Sequence, residues 1–475
     1  MFCPNCGTEN KEPAAFCLNC GMSLEFLTSA VAMETESPKA RRLLRRVVII
    51  LGLGFLCILL GMAGLWAYRR FTSPGERIAY LKKEESGKVG LWVINAEGTN
   101  PVQIFRDAEE IQFPYNPYRH ISTPFSPDNR ALLFTAEQDS KYRLYRASVS
   151  GSDLVALTNP GAAASGVFSP DGKQLLIVTQ SEQGGKRDLF LADRSGRSQV
   201  ELAVDADNVW AWFSRDSKRL LIWELDAGKT DLFSLRIADK SRTTLVEQAT
   251  DASASFSNSG EPLLLWVKDR DNPNGALYLT DAEGETRERI LEAADQISAT
   301  FLPGDKRIAV SLNRAGRHSF GLLSADGSFL AEVVAGAQNL LYQPSRDGRR
   351  VLVAVQQSGK WDVYTVDANG RILAQLASNL DDWPDYRLSP DGRWVSFKEK
   401  ADGKLRRYLV TIDGSQQVTL FEGADSTWNL AFSPDGARIV YDVEREGEIT
   451  IYVADSDGSN RKKLVEGGYY PAWSN

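Results

Sequence analysis

The amino-acid sequence predicts a mainly β protein: a single closed β-propeller of four-stranded blades, preceded by a small four-cysteine module and one transmembrane helix. Three observations support this prediction. A turn motif recurs at a nearly constant spacing, two pairs of cysteines stand near the N-terminus, and an uncharged apolar run separates the cysteines from the repeats.

The turn motif is clearest at residues 168–172, where Phe168 precedes Ser-Pro-Asp-Gly and a β-rich apolar run follows. In such a turn proline pre-sets φ, aspartate bonds its own backbone, and glycine takes the conformation that closes the bend. Versions of the motif begin 43 to 45 residues apart at Phe125, Phe168, Phe213, Phe256, Phe301, Pro344, Leu388 and Phe432. A spacing so constant is typical of a repeat architecture.

Each repeat also contains a third strand that ends in an Asp/Gly turn, as in residues 448–458, and a short fourth strand such as residues 463–465. Four strands in about 40–45 residues are typical of a propeller blade. Residues 77–80 follow a copy of the turn that has no first strand, and residues 470–475 form a first strand that has no turn after it. We therefore expect the last strand to close the first blade.

The repeat count predicts nine blades. Eight would result if the divergent unit that opens at Pro344 formed no blade of its own. The repeats resemble the TolB-type (WD-repeat-like) propeller repeats, whose consensus is aromatic-Ser-Pro-Asp-Gly, an apolar strand and then Ile-Tyr-Val-x-Asp, as at residues 451–455. The resemblance covers residues 71–475 and implies a propeller, but no particular activity, because this propeller type serves many unrelated functions.

The N-terminus contains two Cys-x-x-Cys-Gly motifs, formed by Cys3, Cys6, Cys17 and Cys20. This spacing suits four thiolates in tetrahedral coordination, and Zn²⁺ is the expected metal. A closed four-sulfur site leaves no position for water, so the zinc would be structural. Disulfides and a redox Cys-x-x-Cys are the alternatives. Residues 1–22 resemble the zinc-ribbon modules found at the N-termini of many prokaryotic membrane proteins.

Residues 23–46 lack periodicity and end in a basic cluster, which predicts a linker. Residues 47–68 are 22 residues without a charge, and as a helix they would span about 33 Å, enough to cross a bilayer. A buried core helix and a cleaved signal peptide are the alternatives to a single-pass transmembrane helix.

The predicted orientation follows from charge and from cysteine usage. Five Lys and Arg residues lie within positions 39–46, whereas Arg69 and Arg70 follow the apolar run. This excess predicts a cytoplasmic N-terminus and an extracytoplasmic propeller in the cell membrane. Four cysteines belong to the N-terminal module, Cys57 lies in the apolar run, and residues 71–475 contain none, which agrees with that orientation.

The charge of the propeller argues against nucleic acid as a partner. Residues 1–70 contain 8 Lys and Arg and 5 Asp and Glu, which leaves 47 and 57 of the chain's 55 and 62 for the remainder, a net charge near −10. Nucleic-acid binding needs a basic surface.

A propeller has two faces. We call the face with the Ser-Pro-Asp-Gly turns the turn face, and the face where one blade connects to the next the loop face. The loop face is predicted to carry aromatic residues and a long insert at residues 106–124, and binding sites concentrate on such loops. The candidate ligand-binding residues are Phe113, Tyr115, Tyr118, Arg119, His120, Trp210, Trp212, Trp383, Tyr386, Trp428 and Tyr470. Packing between blades is the alternative for each aromatic residue.

The sequence predicts no catalytic residues. It contains two histidines, His120 and His318, and no Gly-x-Ser-x-Gly motif, so serine-nucleophile chemistry is not expected. We expect a non-enzymatic, single-pass membrane protein. Its extracytoplasmic propeller would bind or scaffold a protein, peptide or glycan, and its zinc ribbon would contact a cytoplasmic protein. The alternative is an extracytoplasmic, glycan-active propeller enzyme that uses carboxylates at the channel mouth, such as Asp381 and Asp382.

Overall fold

The structure, a computed structural model, describes residues 2–3, 5–6, 8–11, 15–20, 76–116, 121–181, 185–292, 294–381 and 385–475. The chain divides into two compact units, Met1–Gly75 and Glu76–Asn475. The predicted linker and the predicted transmembrane helix at residues 47–68 lie outside the described residues. Among the residues that are described, no helix is long and apolar enough to cross a membrane.

Residues 76–475 form nine four-stranded antiparallel sheets, which we number as blades 1 to 9 in chain order. Blade 1 contains β1 (Arg77–Lys83), β2 (Val89–Asn95), β3 (Val102–Ala108) and β38 (Gly468–Trp473). Blade 2 contains β4 (Glu110–Gln112), β7 (Ala131–Gln138), β8 (Lys141–Ser148) and β9 (Val155–Ala156), with a separate hairpin of β5 (Tyr115–Asn116) and β6 (Ile121–Ser122). Blade 3 contains β10 (Ala163–Phe168), β11 (Gln174–Gln180), β12 (Arg187–Asp193) and β13 (Gln199–Ala206).

The next three blades repeat this order. Blade 4 contains β14 (Asn208–Phe213), β15 (Arg219–Asp226), β16 (Lys229–Arg236) and β17 (Arg242–Ala249). Blade 5 contains β18 (Asp251–Phe256), β19 (Leu263–Lys268), β20 (Ala276–Thr280) and β21 (Arg287–Glu292). Blade 6 contains β22 (Gln296–Phe301), β23 (Arg307–Arg314), β24 (Arg317–Ser324) and β25 (Phe329–Ala337).

The last three blades complete the ring. Blade 7 contains β26 (Asn339–Pro344), β27 (Arg350–Gln357), β28 (Lys360–Asp367) and β29 (Ile372–Leu380). Blade 8 contains β30 (Arg387–Leu388), β31 (Trp394–Ala401), β32 (Lys404–Thr411) and β33 (Gln417–Ala424). Blade 9 contains β34 (Leu430–Phe432), β35 (Arg438–Arg445), β36 (Glu448–Asp455) and β37 (Lys462–Glu466).

The nine-blade count is confirmed. The divergent unit at Pro344 forms blade 7, a complete four-stranded sheet, because its second strand carries five consecutive buried residues, Val351–Val355. Neighbouring blades cover both faces of such a strand, so it is apolar throughout rather than alternating. The first strands of blades 4 to 9, together with β38, contribute to the lining of one central cavity. The first strand is therefore the innermost strand of its blade.

The predicted closure is also confirmed. β38 pairs antiparallel with β1, with Ile78 opposite Trp473 and Lys82 opposite Gly468. Trp473 is 2% exposed, and its indole Nε1 donates to the carbonyl of Ala431 at 2.9 Å. Asn475 then donates through its side-chain amide to the carbonyls of Phe125 (2.9 Å) and Ser126 (2.8 Å) in blade 2. The end of the described chain thus connects blades 9, 1 and 2.

The turn motif has the local geometry that its sequence predicts. In blade 3 the hydroxyl of Ser169 donates to Asp171 at 2.7 Å, and the Gly172 amide donates to the Ser169 carbonyl at 2.8 Å. Gly172 has a φ of +69°, which glycine adopts without the steric cost of a Cβ atom. Serine and aspartate therefore recur because they satisfy the turn.

Candidate binding surfaces of the propeller

The inner strands divide the propeller into two arcs. In blades 3 to 7 each inner strand is an unbroken run of six residues. In blades 8, 9 and 2 the inner strand has only two or three residues, and in blade 1 the pairing of β38 shifts register between Ala79 and Leu81. Blade 9 packs against blade 1, so the four irregular blades are neighbours. We call blades 3 to 7 the regular arc and blades 8, 9, 1 and 2 the irregular arc.

The insert lies within the inner strand of blade 2. Gln112 pairs with Thr135, and after residues 113–122 the strand resumes, with Phe125 opposite Leu132. Residues 110–112 and 123–125 together make six positions, the length of an inner strand in the regular arc. The insert is therefore ten residues long and interrupts a strand whose pairing register is otherwise continuous. It contains the hairpin β5–β6.

The predicted position of this insert, residues 106–124 in the connection between blades 1 and 2, was wrong at its start. Residues 102–108 form the outer strand of blade 1, where Ile104 and Phe105 are buried. A single residue, Glu109, then joins β3 to β4. The connections in the regular arc are equally short: Asp207 alone joins β13 to β14, and Thr250 alone joins β17 to β18. The aromatic residues assigned to loops therefore lie largely on or beside inner strands.

Two aromatic pairs join the blades of the irregular arc. Phe113 at the base of the insert contacts Tyr470 edge to face, with ring centroids 5.9 Å apart. Trp428, just before the inner strand of blade 9, contacts Tyr469 with centroids 5.7 Å apart and stays 42% exposed. Tyr470 has a φ of +55°, a costly conformation for a bulky residue, which persists only where surrounding contacts enforce it. Of the predicted candidates, Phe113, Trp428 and Tyr470 therefore belong to one aromatic surface on blades 9, 1 and 2.

A buried carboxylate holds this aromatic surface in place. Asp442 in β35 is 0% exposed. It accepts hydrogen bonds from the backbone amides of Trp428 (2.6 Å), Asn429 (3.2 Å) and Tyr470 (2.7 Å), and from the hydroxyl of Thr427 (3.1 Å). Burial raises the pKa of Asp442, and these donors oppose that rise. Asp442 thus fixes the backbone of one member of each aromatic pair.

Among the other candidates whose side chains the structure describes, Trp210, Trp212 and Tyr386, none joins this surface. Trp210, in the regular arc, is 48% exposed and lies under the guanidinium of Arg187, 5.3 Å from the ring centroid. Trp212 packs against the core shared by blades 4 and 5, and Tyr386 is buried in the core between blades 7 and 8, as the alternative of packing between blades predicts. Tyr115 pairs with Ser122 through the backbone. The other candidates lie outside the described residues: Tyr118, Arg119, His120 and Trp383.

A groove of about 420 Å³ lies beside the aromatic surface, lined by residues of β4 and by Phe113, Tyr469 and Tyr470. Its two carboxylates already have partners. Glu109 pairs with Lys88 at 2.9 Å, and this contact lowers the pKa of Glu109. Glu110 accepts from the hydroxyl of Tyr142 at 3.1 Å. The side chains that line the groove therefore include carboxylates and aromatic rings, and both carboxylates have partners.

A buried charge cluster in blade 8 escaped the sequence predictions. Arg407 is 1% exposed, and it donates to Asp385 at 2.6 Å and to the hydroxyl of Ser396 at 3.1 Å. Asp385 also contacts Arg387 at 3.1 Å and Lys398 at 3.5 Å. Burial would raise the pKa of Asp385, but the guanidinium groups of Arg407 and Arg387 outweigh burial and lower it. The carboxylate of Asp385 is therefore the counter-ion of three cationic side chains.

A repeat alignment would have revealed Arg407. It is the fourth residue of β32, and the fourth residues of β24, β28 and β36 are Phe320, Val363 and Ile451. A charged residue at a position that is otherwise apolar indicates a special site. The carboxylates that the sequence suggested for an enzyme give no comparable cluster: Asp381 forms an ion pair with Lys360, and Asp382 lies outside the described residues.

The central cavity, of about 810 Å³, opens among the Ser-Pro-Asp-Gly turns. Serine, threonine and tyrosine hydroxyls line it together with prolines and aromatic rings. Three arginines also belong to its lining, Arg215, Arg346 and Arg387, whereas none of its described lining residues is acidic. The lining of the central cavity is therefore basic, whereas the lining of the groove contains Glu109 and Glu110.

The four N-terminal cysteines converge as predicted. Their sulfur atoms all lie within 4.8 Å of one another, and the Cys3–Cys20 and Cys6–Cys17 sulfur distances are 3.6 Å. Sulfurs bound tetrahedrally at the usual zinc–sulfur length are about 3.8 Å apart, whereas a disulfide bond is about 2 Å. The geometry therefore fits a metal and not disulfides.

The protein environment of the cysteines also suits zinc. The hydroxyl and amide of Thr8 lower the pKa of Cys6 to about 6, and backbone amides lower the pKa of Cys17. Burial raises the pKa of Cys3 to about 11, so zinc binding must displace a proton there. The side-chain amide of the buried Asn10 donates to the sulfur of Cys17 at 3.5 Å. Such outer contacts orient metal ligands.

Comparisons with known proteins agree with these two units. Residues 2–24 match the family model of a zinc-ribbon domain. The uncharacterized protein YidR of Escherichia coli (strain K12) is 28% identical over 129 residues, a match that covers 26% of this chain and 27% of that relative.

Two solved structures are among those similar to this chain. A crystal structure of the eukaryotic initiation factor is similar with a TM-score of 0.56 and 14% identity, over 84% of this chain and 98% of that one. At that identity the likeness concerns the fold alone. TolB from Acinetobacter baumannii is matched with a TM-score of 0.30 and 15% identity, over 72% of this chain and 79% of that one.

Proposed function

We propose that this chain is a single-pass, membrane-anchored binding protein, with an extracytoplasmic propeller that binds a protein, peptide or glycan and a cytoplasmic zinc ribbon that contacts a second protein. The aromatic surface of the irregular arc carries the proposal. Its two pairs, Phe113–Tyr470 and Trp428–Tyr469, present partly exposed rings on a backbone that Asp442 fixes. Aromatic residues on a rigid support are typical of recognition surfaces.

The electrostatics of the neighbouring groove support binding rather than catalysis. A glycan-active enzyme of the usual kind needs one carboxyl group with a raised pKa to act as an acid. Glu109 has a lowered pKa because it pairs with Lys88. Glu110 is engaged by Tyr142. Both carboxylates of the groove are thus engaged by neighbouring side chains, which supports binding rather than catalysis there.

The membrane anchor rests on the sequence of residues 47–68 and on the basic residues before it. The zinc ribbon rests on its four converging cysteines. Zn²⁺ would be held by Cys3, Cys6, Cys17 and Cys20, and would stabilise the fold of the module. Because the charges of residues 1–22 are Glu9, Lys11 and Glu12, a protein is a better partner for this module than nucleic acid.

One crosslinking experiment tests both the orientation and the binding surface. Intact cells that express the full chain are treated with an amine-reactive crosslinker that cannot cross membranes. We expect an adduct between the chain and its partner, reduced at least tenfold in the variant W428A/Y469A, because recognition hot spots each contribute about 2 kcal/mol or more.

The matched control is F329A, which removes a ring that is 69% exposed on the outer strand of blade 6. It should leave the adduct unchanged. An adduct that forms only with a membrane-permeant reagent would contradict the orientation. An adduct that survives in W428A/Y469A would contradict the binding surface.

A further inference from the structure

The rim of the central cavity departs from the turn consensus in three blades, and in two of them arginine replaces proline. The residues at the second position of the Ser-Pro-Asp-Gly turns line this rim: Pro170, Arg215, Asn258, Pro303, Arg346, Pro390 and Pro434. Proline is favoured at this position because it pre-sets φ and reduces the conformational entropy of the unfolded chain. Arg215 and Arg346 forgo that stabilisation, which indicates a use for their side chains.

Both guanidinium groups remain available to an anion. Arg215 is exposed and makes no hydrogen bond or ion pair with any residue that the structure describes. Arg346 donates to the carbonyl of Pro434, two blades away, at 3.3 Å, so its side chain lies along the rim. The aspartates of their own turns accept from serine instead: Ser214 contacts Asp216, and Ser345 contacts Asp347, each at 2.6 Å.

A third arginine extends the basic lining into the cavity. Arg387 shares Asp385 with Lys398 and with the buried Arg407, so three cations face one carboxylate. Asp442, a fully buried carboxylate of blade 9, is occupied by its four donors. The basic cavity stands out because residues 71–475 carry 47 Lys and Arg against 57 Asp and Glu.

The backbone around the cavity suits an extended chain. Each inner strand is the edge of its sheet, and an edge strand presents backbone N–H and C=O groups that can pair with a peptide. Hydroxyls of Ser298, Thr300 and Tyr342 add further donors and acceptors. A volume of about 810 Å³ lies within the range of ligand cavities.

We propose that the turn-face end of the central cavity is a second binding site, which takes an acidic peptide segment with its carboxylates on Arg215, Arg346 and Arg387. Arginine binds carboxylates with paired, charge-assisted hydrogen bonds. The site is separate from the aromatic surface and does not depend on the proposed function.

Fluorescence anisotropy with the purified full chain tests the site. The probes are fluorescein-labelled hexaglutamate and hexaglutamine. We expect hexaglutamate to bind at least tenfold more tightly than hexaglutamine, with an affinity that falls as salt is added. The variant R215P/R346P should bind hexaglutamate at least tenfold more weakly.

This variant should fold, because proline occupies the same turn position in five other blades, as Pro127, Pro170, Pro303, Pro390 and Pro434. Neither Arg215 nor Arg346 has a positive φ, and neither backbone N–H donates to a described residue. Its melting temperature should equal or exceed that of the parent. The matched control is R349A/R393A, which removes two exposed arginines just after the turns of blades 7 and 8 and outside the cavity lining. The control should bind hexaglutamate normally.

Three results would overturn the proposal. In the first, hexaglutamate binds R215P/R346P as tightly as the parent. In the second, R349A/R393A loses as much affinity for hexaglutamate as R215P/R346P does, which would indicate only a general charge effect. Tetragalacturonate could displace hexaglutamate at lower concentration than unlabelled hexaglutamate does, which would assign the site to an acidic glycan. W428A/Y469A should keep its hexaglutamate affinity, so failure here is distinct from failure of the aromatic surface.

Discussion

The regular and irregular arcs are built from the same repeat, yet their inner strands differ. In the regular arc, six-residue inner strands connect to the preceding blade through one residue, as at Asp207 and Thr250. In the irregular arc the inner strands are shortened, shifted or interrupted. Asp442 and Arg407 are buried beside those interruptions, and Arg407 pairs there with the partly buried Asp385. The regular blades thus form most of the ring, whereas the interruptions of the irregular arc carry the aromatic surface that is proposed to bind a partner.

The largest predicted effect concerns the charge cluster of blade 8. D385A leaves the buried Arg407 without its counter-ion, which should lower the free energy of unfolding by about 3–5 kcal/mol. The matched change in the regular arc is D207A, at the residue that joins β13 to β14. Asp207 is 42% exposed and pairs with Lys186 at 2.6 Å, so its loss should lower the free energy of unfolding far less than D385A does. Urea denaturation of the full-chain variants measures both.

The double variant D385A/R407L tests the same charge cluster more closely. Leucine occupies the fourth position of the third strand in blades 2 and 4, as Leu144 and Leu232. Replacing a buried ion pair by apolar residues is often neutral, so the double variant should regain most of the lost stability. Equal losses in D385A and D207A would contradict a special role for this cluster.

The same cluster predicts a pH dependence. The pKa of Asp385 is lowered in the folded protein, so its stabilising contribution is present above the unfolded value of about 3.9 and is lost as pH falls through the folded value. The stability difference between the parent and D385A should therefore be constant from pH 5 to 7 and shrink below about pH 4. A difference that grows on acidification would have the wrong sign.

The smallest predicted effect on stability comes from removing the insert. Deleting residues 113–122 joins Gln112 to Thr123 in an already continuous register, which converts the inner strand of blade 2 to the form found in the regular arc. Of the ring pairs that the structure describes, the deletion removes one, the contact of Phe113 with Tyr470. We therefore expect the free energy of unfolding to change by about 1 kcal/mol or less. Partner adducts should fall sharply. A deletion variant that unfolds would show that the insert supports the ring.

Much of the fold could be predicted because the turn motif is local. Ser169, Asp171 and Gly172 satisfy one another within four residues, so each copy marks a blade, and the unmatched strands at the two ends predict closure. The start of the insert could not be located in this way. The outer strand that precedes it, with Ile104 and Phe105, carries no turn motif that would mark its end.

The site was predicted only in part, for a physical reason. Phe113, Trp428 and Tyr470 were predicted as aromatic residues of the connections between blades, but Trp212 and Tyr386 were predicted in the same way and pack between blades. Only three-dimensional contacts separate the two groups. Asp442 was missed because its role depends on burial against Trp428 and Tyr470 of neighbouring strands, whereas an alignment of the repeats would have marked Arg407.

The most direct test compares the two exposed tryptophans of the inner rim, Trp428 in the irregular arc and Trp210 in the regular arc, which are 42% and 48% exposed. A photo-crosslinking amino acid is placed at either position of the full chain, and cells are irradiated. We predict an adduct with a protein, peptide or glycan partner from position 428 and none from position 210. An adduct from position 210 without one from position 428 would contradict the assignment of binding to the irregular arc.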